Sequence, residues 1–265
     1  MSEIITSAQN PKVRNLLLLQ QKARERRKQN LIVVEGLREL GIAVENRFRP
    51  VELFICPEIS GDADLAAIAG NARITRVSRT VFEKMAYREG SDGCIALLEP
   101  RWLKLNEVKL RANPLIIILE AVEKPGNLGA VLRTADAARA DAVIVCDPLT
   151  DIYNPNVIRS GIGCVFSNQV VACTSEEAQQ WLKKNGIRTY AAELQASSGY
   201  HLHDFRKATA FVMGTEADGL TPKWIDFCDE RIIIPMLGSI DSLNVSVSTA
   251  VLVFEAMRQR GFRID

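Results

Sequence analysis

The sequence lacks the glycine-rich signatures of the common nucleotide-binding folds. After the first strand-like run of the second half, residues 123–129 read Glu-Lys-Pro-Gly-Asn-Leu-Gly. A dinucleotide-binding domain has Gly-x-Gly-x-x-Gly at that position. The sequence also has no phosphate-binding P-loop. These absences argue against nicotinamide-dependent oxidoreduction, against ATP chemistry and against the Rossmann type of methyltransferase.

Metal-binding patterns are also missing. No two of the 6 cysteines are spaced as Cys-x-x-Cys, which argues against a zinc or redox site. His201 and His203 are the only 2 histidines, and no third ligand is evident beside them. We therefore expect no metal. Most cysteines lie in apolar runs, where a free thiol behaves as a small buried hydrophobe, so we expect a reducing, cytoplasmic location.

Long apolar runs and a strong net charge are absent too. The N-terminus has no apolar signal core and no window reaches membrane-spanning length, so we expect no membrane association. The net charge is only +1. Residues 12–28 nevertheless contain seven cations against Glu25 alone, on a basic helix predicted at residues 10–30. Such a run is either a solvated helix face or a phosphate-binding segment, and the run alone does not decide.

The chain divides into two halves of alternating strand-like and helix-like segments. In the first half, β-branched and apolar runs predict strands at 31–35, 51–56, 73–77 and 94–98, with helices at 36–46, 62–70 and 78–85. A polar, proline-containing break follows. We predict an N-terminal domain over residues 1–104, a linker at 105–113 and a C-terminal domain over residues 114–265.

The second half has the pattern of an α/β domain with a mainly parallel sheet. Strands are predicted at 115–119, 142–146, 169–172, 189–192, 210–213 and 231–234, with helical stretches between most of them. The first of these strands is continuously apolar, as expected for a strand buried on both faces. Ligands of such sheets bind beyond the carboxyl ends of the strands.

Three blocks of sequence fall at those strand ends. Residues 127–133 read Asn-Leu-Gly-Ala-Val-Leu-Arg, and residues 214–219 read Gly-Thr-Glu-Ala-Asp-Gly. The third block is Ile-Pro-Met at 234–236, followed by Ser-Leu-Asn-Val-Ser at 242–246. In this order, the blocks resemble the SpoU (TrmH-like) family of the SPOUT superfamily, whose members are RNA ribose 2'-O-methyltransferases that use S-adenosylmethionine.

The resemblance implies a fold and an assembly. The C-terminal domain is expected to be a SPOUT-type parallel sheet whose chain is threaded as a trefoil knot, with the cofactor in the knot. True knots are almost absent among folds, and nothing in the composition predicts one. The first half resembles, more loosely, the family's smaller ribosomal-protein-like α/β domain that binds RNA. Members act as homodimers with each active site near the partner subunit.

The resemblance also assigns residues. The expected active-site residues are Asn127, Arg133, Glu216, Ser242 and Asn244. The expected cofactor-binding residues are Gly214, Ile234, Met236 and Leu243. With RNA as the expected substrate, the candidate RNA-binding residues are Lys12, Arg14, Arg24, Arg26 and Arg27. Arg133 is either a phosphate clamp or a general base, and the clamp is physically easier because a guanidinium keeps its proton.

Several details depart from the family pattern, and other functions remain open. Glu120 stands where aspartate is frequent, Pro125-Gly126 precedes Asn127, and residues 154–161 match the family loop only in part. Two alternatives are a non-catalytic RNA-binding protein that retains the fold and a small-molecule methyltransferase. The favoured interpretation is 2'-O-methylation of structured RNA, with rRNA preferred over tRNA.

Overall fold

The structure is a computed structural model, which describes residues 4–61, 66–87, 90–196, 198–215 and 218–263. The strands are β1 (Ile32–Glu35), β2 (Pro50–Ile55), β3 (Arg73–Arg76), β4 (Cys94–Leu98), β5 (Leu115–Glu120), β6 (Ala142–Cys146), β7 (Val170–Cys173), β8 (Arg188–Ala192), β9 (Ser198–Gly199), β10 (Thr209–Met213) and β11 (Glu230–Ile233). The helices are α1 (Pro11–Gln21), α2 (Ala23–Gln29), α3 (Leu37–Glu45), α4 (Pro57–Ser60), α5 (Ala66–Ala69), α6 (Arg79–Met85), α7 (Pro125–Ala137), α8 (Pro155–Ser160), α9 (Cys164–Ser167), α10 (Ser175–Lys184), α11 (Pro222–Phe227) and α12 (Val245–Gln259).

The chain forms two compact units that do not follow sequence order. Unit 1 comprises residues 1–101 and 153–167, and unit 2 comprises residues 102–152 and 168–265. Helices α8 and α9 therefore belong to unit 1, although they follow β6 of unit 2 in the chain.

Unit 1 is built on a four-stranded mixed sheet. Its order is β1-β4-β2-β3, with β4 antiparallel to both neighbours and β2 parallel to β3. The apolar residues of β1, β2 and β4 pack against α1 and α6, which contribute Leu16, Leu19 and Phe82 to the buried core. This arrangement leaves the polar faces of α1 and α2 available to solvent.

The basic segment predicted as one helix at residues 10–30 is instead two helices. Lys22 is extended, with φ −117° and ψ 106°, and separates α1 from α2. Arg26 explains the break: its side chain is buried, and Nη1 donates to the carbonyls of Leu19 (2.6 Å) and Gln20 (3.1 Å). The last carbonyls of a helix have no intrahelical partner, so this guanidinium stabilises the end of α1.

Unit 2 contains a seven-stranded parallel sheet of order β7-β6-β5-β10-β8-β11-β9. This result confirms the predicted mainly parallel α/β domain, and every predicted strand agrees with an observed one to within one residue at each end. Strand β5 is buried along its whole length, as its continuous apolar run predicted. The trefoil knot stays a prediction.

The segment predicted as a linker contributes to unit 2. Leu105, Val108 and Leu110 pack against its core, and Arg111 forms an ion pair with the buried Asp141 (2.6 Å). The prediction of a helix at 62–70 falls partly outside the described residues, since only α5 (Ala66–Ala69) is described there.

The cysteines are free thiols, and several are deeply buried. Burial raises the pKa of the Cys94 and Cys228 thiols to about 12, so both remain protonated and unreactive near neutral pH. Among the described residues, no cluster of three His, Cys, Asp or Glu side chains could hold a metal ion. In the same part of the chain, no helix is long and apolar enough to cross a membrane.

Candidate active site

A cavity of about 580 Å³ opens at the carboxyl ends of β8, β10 and β11 and at the start of α12. This is the position at which open parallel sheets bind ligands, and the volume lies within the range of roughly 300–1,000 Å³ typical of small-molecule sites. The predicted residues that line it are Gly214, Ile234, Met236, Ser242, Leu243 and Asn244. Three separate segments of chain therefore meet at one cavity, as their place at strand ends predicted.

The segment after β10 forms a tight turn that only glycine permits. Thr215 and Gly219 exchange main-chain hydrogen bonds, with N–O distances of 2.9 and 3.2 Å. A Cβ atom on Gly214 would overlap the main-chain carbon and oxygen of Gly219. Because Gly214 has no side chain, the turn closes and the backbone itself becomes part of the cavity wall. Glu216, a predicted active-site residue between these glycines, lies outside the described residues.

The third block forms the opposite wall and begins α12. Ile234 and Met236 follow β11, and Ser242 and Leu243 precede the helix. The N-cap of α12 is Asn244. Its Oδ1 accepts from the main-chain N of Ser246 (2.9 Å) and from Ser246 Oγ (2.6 Å). These bonds satisfy the exposed start of the helix and fix the orientation of the amide.

The fixed amide of Asn244 connects the cavity to the first block. Asn244 Nδ2 donates to Asn127 Oδ1 at 3.2 Å. Asn127 lies in the first turn of α7, which begins at Pro125 just beyond β5, and α7 packs against α12. Two residues that are 117 positions apart are thus hydrogen-bonded at one edge of the cavity.

Arg133 is also on α7 but does not line the cavity. It is exposed and lies six positions after Asn127 on the helix, which places the two side chains about 120° apart around the axis and about 9 Å apart along it. Arg133 therefore does not lie beside the Asn127–Asn244 pair. Its guanidinium faces solvent, where a polyanionic substrate can reach it.

Two acidic residues contribute to this region and were not predicted as site residues. Glu193 follows β8 and lines the cavity, with a side chain only 12% exposed and an oxygen 3.8 Å from Arg231. Glu120 ends β5, is buried, and accepts from the main-chain N (2.9 Å) and the hydroxyl (2.7 Å) of Thr221. Glu120 thereby anchors the start of α11. A polar residue directly after a buried strand was the signal that could have identified both.

The candidate RNA-binding residues lie on α1 and α2 of unit 1, and they differ in their surroundings. Arg14, Arg24 and Arg27 are exposed. Lys12 is half-buried, with Nζ 2.5 Å from Glu52 Oε1 and 3.1 Å from Thr75 Oγ1. Arg26 is buried at the end of α1, so the expectation that it faces RNA is corrected: its guanidinium is used within the fold.

Comparison with protein families matches both units. A model described as the SpoU rRNA Methylase family matches residues 114–254. A second, described as the MRM3-like substrate binding domain, matches residues 10–96. The first match covers more than half of the chain and includes each of the three sequence blocks.

Individual proteins are similar over nearly the whole chain. The 23S rRNA (guanosine(2553)-2'-O)-methyltransferase RlmP of Bacillus subtilis is 29% identical, over 94% of this chain and 97% of the relative. The 23S rRNA (guanosine-2'-O-)-methyltransferase RlmB of Bordetella pertussis is 32% identical, over 85% of this chain and 91% of the relative.

Solved structures agree with these sequence matches. A crystal structure of an RNA 2'-O ribose methyltransferase has a TM-score of 0.86 and 35% identity, covering 97% of this chain and 99% of the other. An AdoMet-bound rRNA methyltransferase from Sinorhizobium meliloti has a TM-score of 0.88 and 27% identity, covering 97% of each chain. Both similarities span units 1 and 2.

Proposed function

This chain belongs to the SpoU rRNA methylase family, and from that premise we propose that it methylates the ribose 2'-hydroxyl of a guanosine in 23S rRNA. It is an S-adenosylmethionine-dependent RNA 2'-O-methyltransferase. The choice of 23S rRNA and of guanosine is supported by the relatives, two of which carry that substrate in their names. The observation that carries the proposal is a cavity lined by the second and third family blocks, to which the first block is joined by the hydrogen bond between Asn127 and Asn244.

The cavity fits the cofactor. Its walls combine apolar side chains such as Met213, Ile232 and Leu243 with main chain brought close by Gly214. An apolar slot with backbone groups at its edge suits a neutral adenine ring. The carboxylate of Glu193 could accept hydrogen bonds from the ribose hydroxyls or from the ammonium group of the methionine part of the cofactor. When bound, S-adenosylmethionine supplies an electrophilic methyl group.

We assign to the residues at and near the cavity the role of positioning the reacting ribose and its phosphate. Asn127 and Asn244 present amides whose positions are fixed by α7, by α12 and by each other, so they can hold a ribose hydroxyl at low entropic cost. Ser242 lies in the cavity wall, two residues before Asn244. Arg133 is assigned the RNA phosphate next to the reacting ribose, since it is exposed and lies outside the cavity. Glu216 keeps its predicted place in the active site.

RNA recruitment is assigned to the N-terminal domain, predicted at residues 1–104. The exposed Arg14, Arg24 and Arg27 on α1 and α2 provide cations for phosphate groups. Lys12 contributes less, because its ammonium is already engaged by Glu52. An unstacked nucleotide in a loop is the expected target, since its ribose can enter an active site.

A homodimer is the proposed assembly. Val247 and Phe254 are seven positions apart on α12, hence on one face of that helix, and are 47% and 42% exposed. Leu237, in the loop before α12, is fully exposed. Exposed apolar side chains on one helix and its preceding loop are consistent with a surface that a second copy covers. Light scattering of the purified protein tests the assembly.

The experiment that tests the reaction is tritium transfer from labelled S-adenosylmethionine to total ribosomal and transfer RNA from a strain lacking the protein, followed by nucleoside analysis. We expect label in 2'-O-methylguanosine from 23S rRNA. Label on a base atom would overturn the chemistry, and label in transfer RNA alone would overturn the substrate. Cofactor binding without transfer to either pool would favour the non-catalytic RNA-binding alternative.

A further inference from the structure

A cleft on unit 1 exposes an aromatic side chain beside a guanidinium. Tyr87, which follows α6, is 50% exposed. It lies at the rim of a cleft that is lined also by Gln20 of α1, Glu35 of β1, and Pro155 and Arg159 of α8. The cleft has a volume of only about 10 Å³, so a ligand would pack on its rim and not inside it. These residues span 139 positions of the chain but all belong to unit 1. None of them belongs to the three family blocks.

Two contacts hold the Tyr87 side chain, and a third holds its main chain. Asn156 Nδ2 donates to Tyr87 Oη at 2.8 Å, and the main-chain N of Tyr87 donates to Glu35 Oε2 at 2.7 Å. The guanidinium carbon of Arg159 lies 5.5 Å from the ring centroid, within the range of a cation–π contact. The contacts with Asn156 and Arg159 favour one orientation of the exposed ring in the absence of a ligand.

A fixed, exposed ring next to an arginine is suited to stacking. Proteins that recognise single-stranded RNA stack unpaired bases on aromatic rings and on guanidinium planes. Pre-orientation lowers the entropic cost of such a contact. Tyr87 is not a core residue, because half of its surface is accessible to solvent. Its hydroxyl and main-chain N already have hydrogen-bond partners, and the surface of the ring remains open to a ligand.

The charge around the cleft favours RNA over an apolar peptide. Gln20 lies in the last turn of α1, and the chain continues directly into α2. This corner presents the exposed cations Lys22, Arg24 and Lys28. Arg159 adds a further exposed cation at the cleft itself, where the one carboxylate in the lining, that of Glu35, accepts from the main-chain N of Tyr87. An apolar segment would gain nothing from these cations, whereas the phosphates on either side of a stacked base would.

We propose that Tyr87 and Arg159 form a stacking site for one unstacked nucleobase of the RNA substrate, outside the methyl-transfer cavity. The base packs against the exposed Tyr87–Arg159 surface, and the adjoining phosphates lie towards the α1–α2 corner. The inference rests on the proposed function in one respect only, namely that the RNA is the substrate. It adds a contact that selects for an unpaired nucleotide at a second point on the RNA.

Filter binding of transcribed 23S rRNA, measured over a series of salt concentrations, tests the site. Tyr87→Ala removes the stacking surface, and we expect Kd to rise about ten-fold, within the range known for single base–aromatic contacts. Tyr87→Phe keeps the ring, so Kd should stay within about two-fold of the original. Neither change removes a charge, so the dependence of log K on log salt should keep its slope.

The controls separate stacking from folding and from the reaction. Ile74→Ala truncates another exposed apolar residue of unit 1, 43% exposed on the edge strand β3, and should leave Kd unchanged. If Tyr87→Ala lowers the unfolding temperature substantially, Arg159→Lys replaces it: the charge stays, the planar surface goes, and Kd should rise about three-fold at constant slope.

Two results would overturn the stacking site. One is RNA binding by Tyr87→Ala equal to that of the original protein. The other is equal weakening by Tyr87→Phe and Tyr87→Ala, which would assign the effect to the hydroxyl bond with Asn156. Because binding is measured without methyl transfer, a protein that binds 23S rRNA through Tyr87 but leaves it unmethylated would contradict the proposed function alone.

Discussion

The cavity of unit 2 and the cleft of unit 1 are built in different ways. The cavity is lined by short segments that follow strands β8, β10 and β11 and lead into α12, and many of its residues belong to the second and third sequence blocks. The cleft is made of side chains from four separate elements and has no block of its own. The difference follows from what each would bind: a cofactor shared by a whole family requires one backbone shape, whereas an RNA surface can be contacted by many combinations of side chains.

The largest expected effect comes from Arg133, which belongs to the blocks yet lies outside the cavity. Arg133→Ala should reduce methyl transfer about 10³-fold, comparable to removing one essential charged contact in a transition state. Affinity for S-adenosylhomocysteine should stay within about two-fold, because Arg133 does not line the cavity. Single-turnover transfer and calorimetric titration measure the two quantities.

Arg139 provides the matched control for Arg133. It is an exposed arginine just beyond the end of the same helix, outside the family blocks. Arg139→Ala should methylate RNA normally. Near-normal methylation by Arg133→Ala would show that Arg133 does not bind the RNA phosphate during the reaction. The proposed active site would then rest on Asn127 and Asn244.

Gly214 tests whether the cavity depends on backbone shape. In Gly214→Ala the new methyl group overlaps the main chain of Gly219, so the turn must open. Cofactor affinity should fall about 100-fold, in line with the cost of displacing a binding wall by about 1 Å. Gly238→Ala is the control, since a Cβ there meets no atom within 4 Å. Calorimetry that gave equal affinities for the two variants would contradict a backbone-built site.

The same contrast explains what the sequence could predict. The alternating strand and helix patterns predicted that a ligand site lies beyond the carboxyl ends of the strands, where the sequence blocks fall. The resemblance to the family, not the pattern, assigned Gly214, Leu243 and Asn244 to that site. The three blocks also predicted the reaction, because they carry the resemblance to RNA 2'-O-methyltransferases. Hydrophobic periodicity also located every predicted strand of both sheets to within one residue at each end, but it missed the two-residue edge strand β9.

Other features had no local signal. Arg26 reads as one more cation in a basic run, and only the folded corner shows that it binds the carbonyls of Leu19 and Gln20. The assignment of residues 153–167 to unit 1 depends on long-range packing that no local pattern encodes. Tyr87 likewise gains its meaning from Asn156 and Arg159, about 70 positions away.

Asn244 has two roles, as the N-cap of α12 and as the hydrogen-bond donor to Asn127, and different substitutions remove them separately. The expected loss of methyl transfer is smaller than for Arg133. Asn244→Asp keeps an oxygen acceptor for Ser246, and a carboxylate suits a helix N-terminus, so the unfolding temperature should hold. It removes the Nδ2 donor to Asn127 and should slow methyl transfer about ten-fold. Asn244→Ala loses the cap as well and should destabilise the protein by about 1 kcal/mol. If Asn244→Asp transferred methyl groups normally, the hydrogen bond from Asn244 Nδ2 to Asn127 would have no part in the reaction.

The smallest expected effect distinguishes the cations of unit 1 from one another. Arg24→Ala should weaken 23S rRNA binding only a few-fold at physiological salt, yet lower the slope of log K against log salt by about 0.7–0.9, the signature of one lost phosphate contact. Lys12→Ala should leave that slope unchanged and lower thermal stability instead, because its ammonium is held between Glu52 and Thr75. Equal slopes for both variants would mean that exposure does not select the RNA-facing cations. The basic run would then act only as a diffuse positive field, with Tyr87 left as the specific contact of unit 1.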